Sequence, residues 1–182
     1  MRYFIELAYK GTNYHGWQLQ PNAISVQQCI NKAFSTILRN TIEVVGAGRT
    51  DAGVHAEQLF AHFDFEPEFN PTEIIYKVNA VLPNDIVVYN LFKTTSEAHT
   101  RFDALSRSYE YRILLGRNPF LLETTWQLIN KKLNIAKLNE AAQILVSFTN
   151  FKCFSRSNTD VKTYNCSILN TEWILNGSLL IF

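Results

Sequence analysis

Apolar and polar positions along this chain change period several times, and each change marks an element. Arg2 to Ala8 is rich in aromatic and branched residues with no breaker before Gly11, and reads as a first strand. Val26, Ile30, Ala33, Phe34, Ile37 and Leu38 then follow at helical spacing, behind a capping box formed by Ser25 and Gln28. Ile42 to Val45 predicts a short strand. Leu59, Ala61, Phe63 and Phe65 alternate with Gln58, His62, Asp64 and Glu66, the period of a half-buried strand with its polar side toward water. Asn70-Pro71-Thr72-Glu73 opens a second helix ahead of Ile74, Ile75, Val78 and Leu82, and Pro83-Asn84-Asp85 ends it. With Ile86 to Phe92 as another strand, the order is β-α-β-β-α-β, an α+β half with a largely antiparallel sheet.

After Arg101-Phe102-Asp103-Ala104 the pattern begins again. Ser108 to Leu115 predicts a strand, Pro119 a break, and Asn134 onward a helix with Leu138, Ala141, Ala142, Leu145 and Val146 on one face. Cys166 to Leu175 and Ser178 to Phe182 read as strands joined by Asn176-Gly177, a hairpin signal. The architecture of the first half is thus repeated without visible sequence repetition, with halves expected at 1–104 and 105–182. Leu179 to Phe182 reads as a buried strand with no partner or cap after it, so the second half is expected to be incomplete and the chain truncated.

With 182 residues and 47% hydrophobic content, the chain can bury a core in one large domain or two small halves. No stretch approaches the ~18 consecutive apolar residues of a membrane span. Glu6 stands where a signal peptide needs apolar residues, and the expectation is a cytoplasmic protein without membrane association. Cys29, Cys153 and Cys166 are odd in number and lack C-x-x-C spacing, against a disulfide framework or a zinc site; Cys29 falls on the apolar face of the first helix.

Lys and Arg number 17 against 16 Asp and Glu, a net charge of +1, so nucleic-acid binding would need positive charge gathered locally. Such a gathering exists: Arg101, Arg107, Arg112 and Arg117 fall within seventeen residues, interleaved with Phe102, Tyr109 and Tyr111. That mixture suits phosphate contact and base stacking, although strands also alternate this way to keep one face wet.

The densest chemistry lies between two predicted strands, from Gly46 to Ala56. Its glycines fit either a tight turn or a backbone that a ligand approaches closely. Arg49 and Asp51 are two apart, which in an extended segment points both to one face. A guanidinium beside a carboxylate holds the acid ionised, as a nucleophile or general base requires, yet Asp before Ala-Gly is also ordinary turn chemistry. A phosphate loop is excluded, because Val54 and His55 follow Gly53 where Lys and Ser/Thr would stand, and a dinucleotide fingerprint fails at Asp51. The loop Tyr9 to Gln20 fits a packed connector and a ligand-facing role equally. Asp51, His55 and His62 match no metal-site spacing.

Taken in order, these motifs resemble those of the tRNA pseudouridine synthase A family. Gly48 to Ala56 is similar to its G-R-T-D-A-G-V-H-A hallmark at every position, and a Gln-containing strand ending in His-Phe follows at Gln58 to Phe63. Tyr9 to Gln20 resembles Y-x-G-x-x-Y-x-G-W-Q-x-Q, and Leu82 to Ile86 resembles L-P-x-D-I. Arg101 to Ala104 is similar to R-F-x-A, and Arg107 to Tyr111 to R-x-Y-x-Y. The resemblance implies an α+β fold of two RRM-like or ferredoxin-like halves sharing a mostly antiparallel sheet, the active site lying in the central cleft. It implies a homodimer that isomerises uridines of the tRNA anticodon stem-loop with no cofactor and no metal. Carried over, Asp51 is the catalytic aspartate, Arg49 the residue that helps displace the target base, and Tyr109 the ring stacked near the uracil. His55, Arg101 and Arg107 become further RNA contacts. Ala98 departs from the phenylalanine the family commonly has before His99. The family also continues past the position of Phe182, through a strand and helix that supply an arginine pairing with the aspartate.

The implied chemistry agrees with the residues. Breaking N1–C1′, turning the uracil and joining C5 to C1′ requires no net oxidation or hydrolysis, so one carboxylate suffices. Attack on the sugar, attack on the base and removal of a sugar proton all remain open to it. The uridine must first leave its stack, at a cost of roughly a few kcal/mol that an inserted arginine and an aromatic platform offset. Two rival readings are a non-catalytic RNA-binding module of the same fold, which lacks any RNP1-like run on a predicted strand, and a metal hydrolase using Asp51, His55 and His62.

Overall fold

Residues 1–155 and 163–182 are described by the computed structural model of the chain, which divides into two units, Met1–Arg107 and Ser108–Phe182. The first unit runs β1 (Arg2–Tyr9), α1 (Val26–Leu38), β2 (Val45–Gly46), β3 (Ala56–Asp64), α2 (Pro71–Val81) and β4 (Ile86–Thr94). Every strand pair in it is antiparallel, in the order β2-β3-β1-β4. The predicted β-α-β-β-α-β order is therefore present, with β1 at the centre of the sheet.

Local chemistry explains both helices. Ser25 is extended and its Oγ accepts from the Gln28 amide at 3.2 Å, so α1 starts at Val26 and turns Val26, Ile30, Ala33 and Phe34 inward. Asn70 caps α2 by accepting from Thr72 N at 3.0 Å, with Pro71 opening the helix and Ile74 and Val78 buried. Those faces close over Tyr3, Ile5 and Leu7 of β1, Ala61 and Phe63 of β3, and Val88 and Leu91 of β4, with Cys29 packed at the margin. Each large apolar side chain buried there contributes about 1.5–3 kcal/mol.

The strand predicted over Ile42 to Val45 shrinks to Val45–Gly46. Ile42 and Val44 are buried, but their backbone is satisfied by α1: Ile42 N donates to Ser35 Oγ (2.8 Å), Val44 N donates to Asn31 Oδ1 (3.0 Å), and Gln27 Nε2 donates to Val44 O (2.8 Å). Helix side chains occupy the positions of a neighbouring strand.

The second unit contains β5 (Arg112–Leu114), β6 (Trp126–Gln127), α3 (Ile135–Val146), β7 (Ile174–Asn176) and β8 (Leu179–Ile181). Its order is β6-β5-β8-β7, with β5 and β6 parallel, so this sheet is mixed. The strand predicted from Ser108 begins only at Arg112, since its pairing with the β8 segment ends in the reciprocal bonds of Tyr111 and Phe182 (2.9 Å each). The strand predicted from Cys166 begins only at Ile174. Here Trp173 N donates to Asn139 Oδ1 (2.7 Å), and Asn139 Nδ2 and Gln143 Nε2 donate to the carbonyls of Trp173 and Thr171, so α3 again replaces a strand. Asn176 pairs with Leu179, which shifts the hairpin turn one residue, to Gly177-Ser178. On α3 the inward face is Leu138, Ala142 and Leu145, while Ala141 and Val146 are exposed. Among the described residues, no helix is long and apolar enough to cross a membrane.

Candidate active site

The segment from Gly46 to Ala56 joins β2 to β3, and the loop Tyr9 to Gln20 lies against it. Trp17 N donates to Thr50 O (3.1 Å), Gly53 N donates to Tyr14 O (3.2 Å), and Tyr9 Oη meets Thr50 Oγ1 at 2.8 Å. Gly11 N donates to His55 Nδ1 at 2.9 Å. Tyr9, Tyr14 and Trp17 are buried and pack this loop onto the core, while Trp17 and Gln18 also line a cavity. Glycine is required where the two loops touch. A Cβ on Gly11 would lie 2.0 Å from Val54 O, and one on Gly16, whose φ is +83°, would lie 2.2 Å from Thr50 O.

Asp85, between α2 and β4, fixes the outer loop. Its carboxylate accepts from Tyr14 Oη and from Asn13 Nδ2 (3.1 Å), and its carbonyl accepts from Lys10 N (2.8 Å). Burial, then the Asp85 carboxylate, push the Tyr14 phenol well above its usual range. Through Tyr14 O and Gly53 N this anchor reaches the turn that carries Asp51. Sequence reading assigned no role to Tyr14 or Asp85; the signal was present in the matched Y-x-G-x-x-Y and L-P-x-D-I patterns.

Asp51 is exposed, and its carbonyl accepts from Val54 N at 3.2 Å, closing the turn. Arg49 is exposed as well and lines a cavity of about 590 Å³ together with Trp17, Gln18, His99, Arg101, Phe102 and Arg107; Asp51 is not among its lining residues. Arg107 Nη2 donates to Ala47 O (2.8 Å) and Arg101 O (2.9 Å), tying the Gly46–Ala56 segment to the Thr100–Ala104 turn. The structure thus gathers Arg49, Arg101 and Arg107 around one cavity, and seats Asp51 and His55 in the turn beside it. Tyr109 belongs to the second unit, where it is exposed ahead of β5.

His62, predicted on the wet side of β3, is buried. Thr100 Oγ1 gives its hydrogen to Val45 O (3.1 Å), so at 2.8 Å it accepts from His62 Nδ1–H. The His99 ring stands edge-on to His62, 4.6 Å between centroids. Burial above all, then Arg2 and His99, lowers the His62 pKa to about 4. Among the described residues, no group of three His, Cys, Asp or Glu side chains is placed to hold a metal ion.

No family model matches the chain. Among curated proteins it is similar to tRNA pseudouridine synthase A of Bacteroides fragilis, 49% identical over 173 residues that make up 94% of this chain and 68% of that protein. It is 44% identical over 182 residues to tRNA pseudouridine synthase A of Parabacteroides distasonis, covering 100% of this chain and 72% of the relative. The protein of the same name from Chlamydia trachomatis serovar A is 40% identical over 155 residues, 83% of this chain and 58% of its own length. The chain therefore spans roughly two thirds of the length of the relatives it matches.

Proposed function

The chain belongs to the tRNA pseudouridine synthase A family, and from that premise we propose that it isomerises uridine to pseudouridine in tRNA, with Asp51 as the catalytic residue. The observation that carries this reading is the setting of Asp51: an exposed carboxylate in a turn whose backbone is clamped at Thr50 and Gly53 by the Tyr9–Gln20 loop, itself anchored through buried Tyr9, Tyr14 and Trp17. A clamped turn holds the acid in place without ordering cost at the moment of reaction. The substrate is the anticodon stem-loop, and the assembly is a cytoplasmic homodimer, as the resemblance implies. Arg49 occupies the space vacated when the target uridine leaves its stack, and Tyr109 supports the uracil. His55 serves this site as a latch on Gly11. The N1–C1′ bond breaks and C5 joins C1′; C5 gives up its hydrogen as a proton and N1 takes one from solvent, so the product is an isomer of uridine.

Release of tritium from tRNA labelled at uracil C5 tests the proposal. Release by the protein should drop to background in Asp51→Asn while tRNA affinity stays within about threefold, the pattern of a group acting only in the reaction. Undiminished release from the variant would reject Asp51. A protein spanning the full length of the relatives that binds tRNA but releases nothing would favour the non-catalytic RNA-binding reading.

A further inference from the structure

We propose that the cavity beside Arg49 binds one unpaired nucleotide adjacent to the target uridine, its phosphate on Arg101 and its base on Phe102, with Arg49 reaching from the same wall toward the vacated position. This rests on the reading of Asp51 as the reacting centre. Asp51 does not line the cavity while Arg49, two residues earlier, does, so the nucleotide held there is a neighbour of the one at Asp51.

The charge of the cavity is the first argument. Three arginines line it and no acidic residue does, in a protein whose net charge is only +1. Arg107 spends a nitrogen on two carbonyls, whereas the guanidinium groups of Arg49 and Arg101 make no hydrogen bond or ion pair among the described residues. Like charges converging on one concave surface are unfavourable until an anion sits among them. A phosphate fits the forked donors of arginine.

The second argument is the aromatic wall. Phe102 is 75% exposed, although burying such a ring would contribute about 1.5–3 kcal/mol. Its position is nonetheless fixed. Phe102 N and Asp103 N donate to His99 O (3.1 and 2.9 Å), the Asp103 carboxylate accepts from His99 N (2.7 Å), and the His99 ring lies 4.3 Å from the Phe102 ring. The Arg101 guanidinium stands over this ring, 5.9 Å from its centroid, and a held, exposed ring beside two arginines that spend no hydrogen bond is the composition that binds single-stranded nucleotides by stacking. Gln18 adds an amide to the same wall, while Gln27 has both ends of its own amide committed, to Leu19 N and Val44 O. A volume near 590 Å³ lies in the range of single-ligand sites.

The test uses the full chain and anticodon stem-loop RNAs in which the nucleotides flanking the target uridine are made abasic one at a time. Phe102→Leu should weaken binding of the intact RNA about 5- to 100-fold. On the RNA abasic at the one neighbouring position, the same substitution should have no effect. Arg101→Gln should reduce the slope of log affinity against log salt by about one, and both variants should melt as the parent does. A Phe102→Leu effect that is absent, or equal on every RNA, would overturn the proposal, as would an unchanged salt slope in Arg101→Gln. Conversion of the intact RNA alongside either result leaves the Asp51 reading standing and removes the subsite alone. Parent protein that neither binds nor converts the stem-loop would overturn both.

Discussion

Three residues show how single positions here act through packing. His62 is neutral at ordinary pH because burial and the neighbouring positive groups disfavour its charge, lowering its pKa to about 4. The unfolded chain binds the proton near pH 6.5, so between those values it holds more protons than the folded chain. Stability is therefore complete above about pH 6.5 and falls as pH drops toward 4, by no more than about 3 kcal/mol. Urea unfolding at stepped pH should show that slope in the parent and lose it in His62→Gln. Gly16 makes a different demand. A methyl group there meets Thr50 O at 2.2 Å on a backbone with φ +83°, and Gly16→Ala should cost about 2 kcal/mol or more and reduce turnover, read by denaturation and tritium release. Arg107→Lys should lower kcat about tenfold and leave KM within about threefold, because a lysine cannot bridge Ala47 O and Arg101 O with the arginine's geometry. The hallmark motif located the turn, but it said nothing of whether Arg107 faces RNA or the turn's own carbonyls.

Elements whose signals are local were legible. Ser25, Asn70 and Asn134 each cap the helix that follows them, since a cap depends on side chains within three residues. Ser25→Ala should cost about 1 kcal/mol by chemical denaturation. The short strands were misjudged for one repeated reason. Apolar runs at Ile42 to Val44 and before Ile174 look like strands, but Asn31, Ser35, Gln143 and Asn139 of the helices take their backbone groups. Periodicity reports burial of a side chain and is silent on which partner takes its amide. Asn139→Ala should accordingly cost about 1–3 kcal/mol, more than an exposed helix position, because Trp173 N and O both lose a partner.

Buried apolar residues are divided unevenly between the two units: among the described residues beyond Arg107, only Ile113, Leu114, Ala142 and Leu180 belong to the buried apolar set. Local opening costs less where fewer apolar contacts oppose it. Hydrogen exchange should be slowest at Ile5 and Leu7 in the central strand β1 and markedly faster at Ile113 and Leu180; equal protection would contradict this. Charge is distributed unevenly too: in a chain of net charge +1, Arg49, Arg101 and Arg107 gather on one cavity that no acidic residue lines. What the amino-acid order settles alone is the chemistry available and the local elements: the run Gly48 to Ala56, the caps, and the β-α-β-β-α-β order of the first unit. Each follows from neighbours a few residues apart, whose dihedrals and side-chain periods are fixed along the chain. Tertiary structure alone brings Arg49, Arg101 and Arg107 to one cavity, buries His62 against Thr100, and anchors Tyr14 on Asp85. Those contacts join residues tens of positions apart, and strand order and register, which no local period encodes, decide which of them meet.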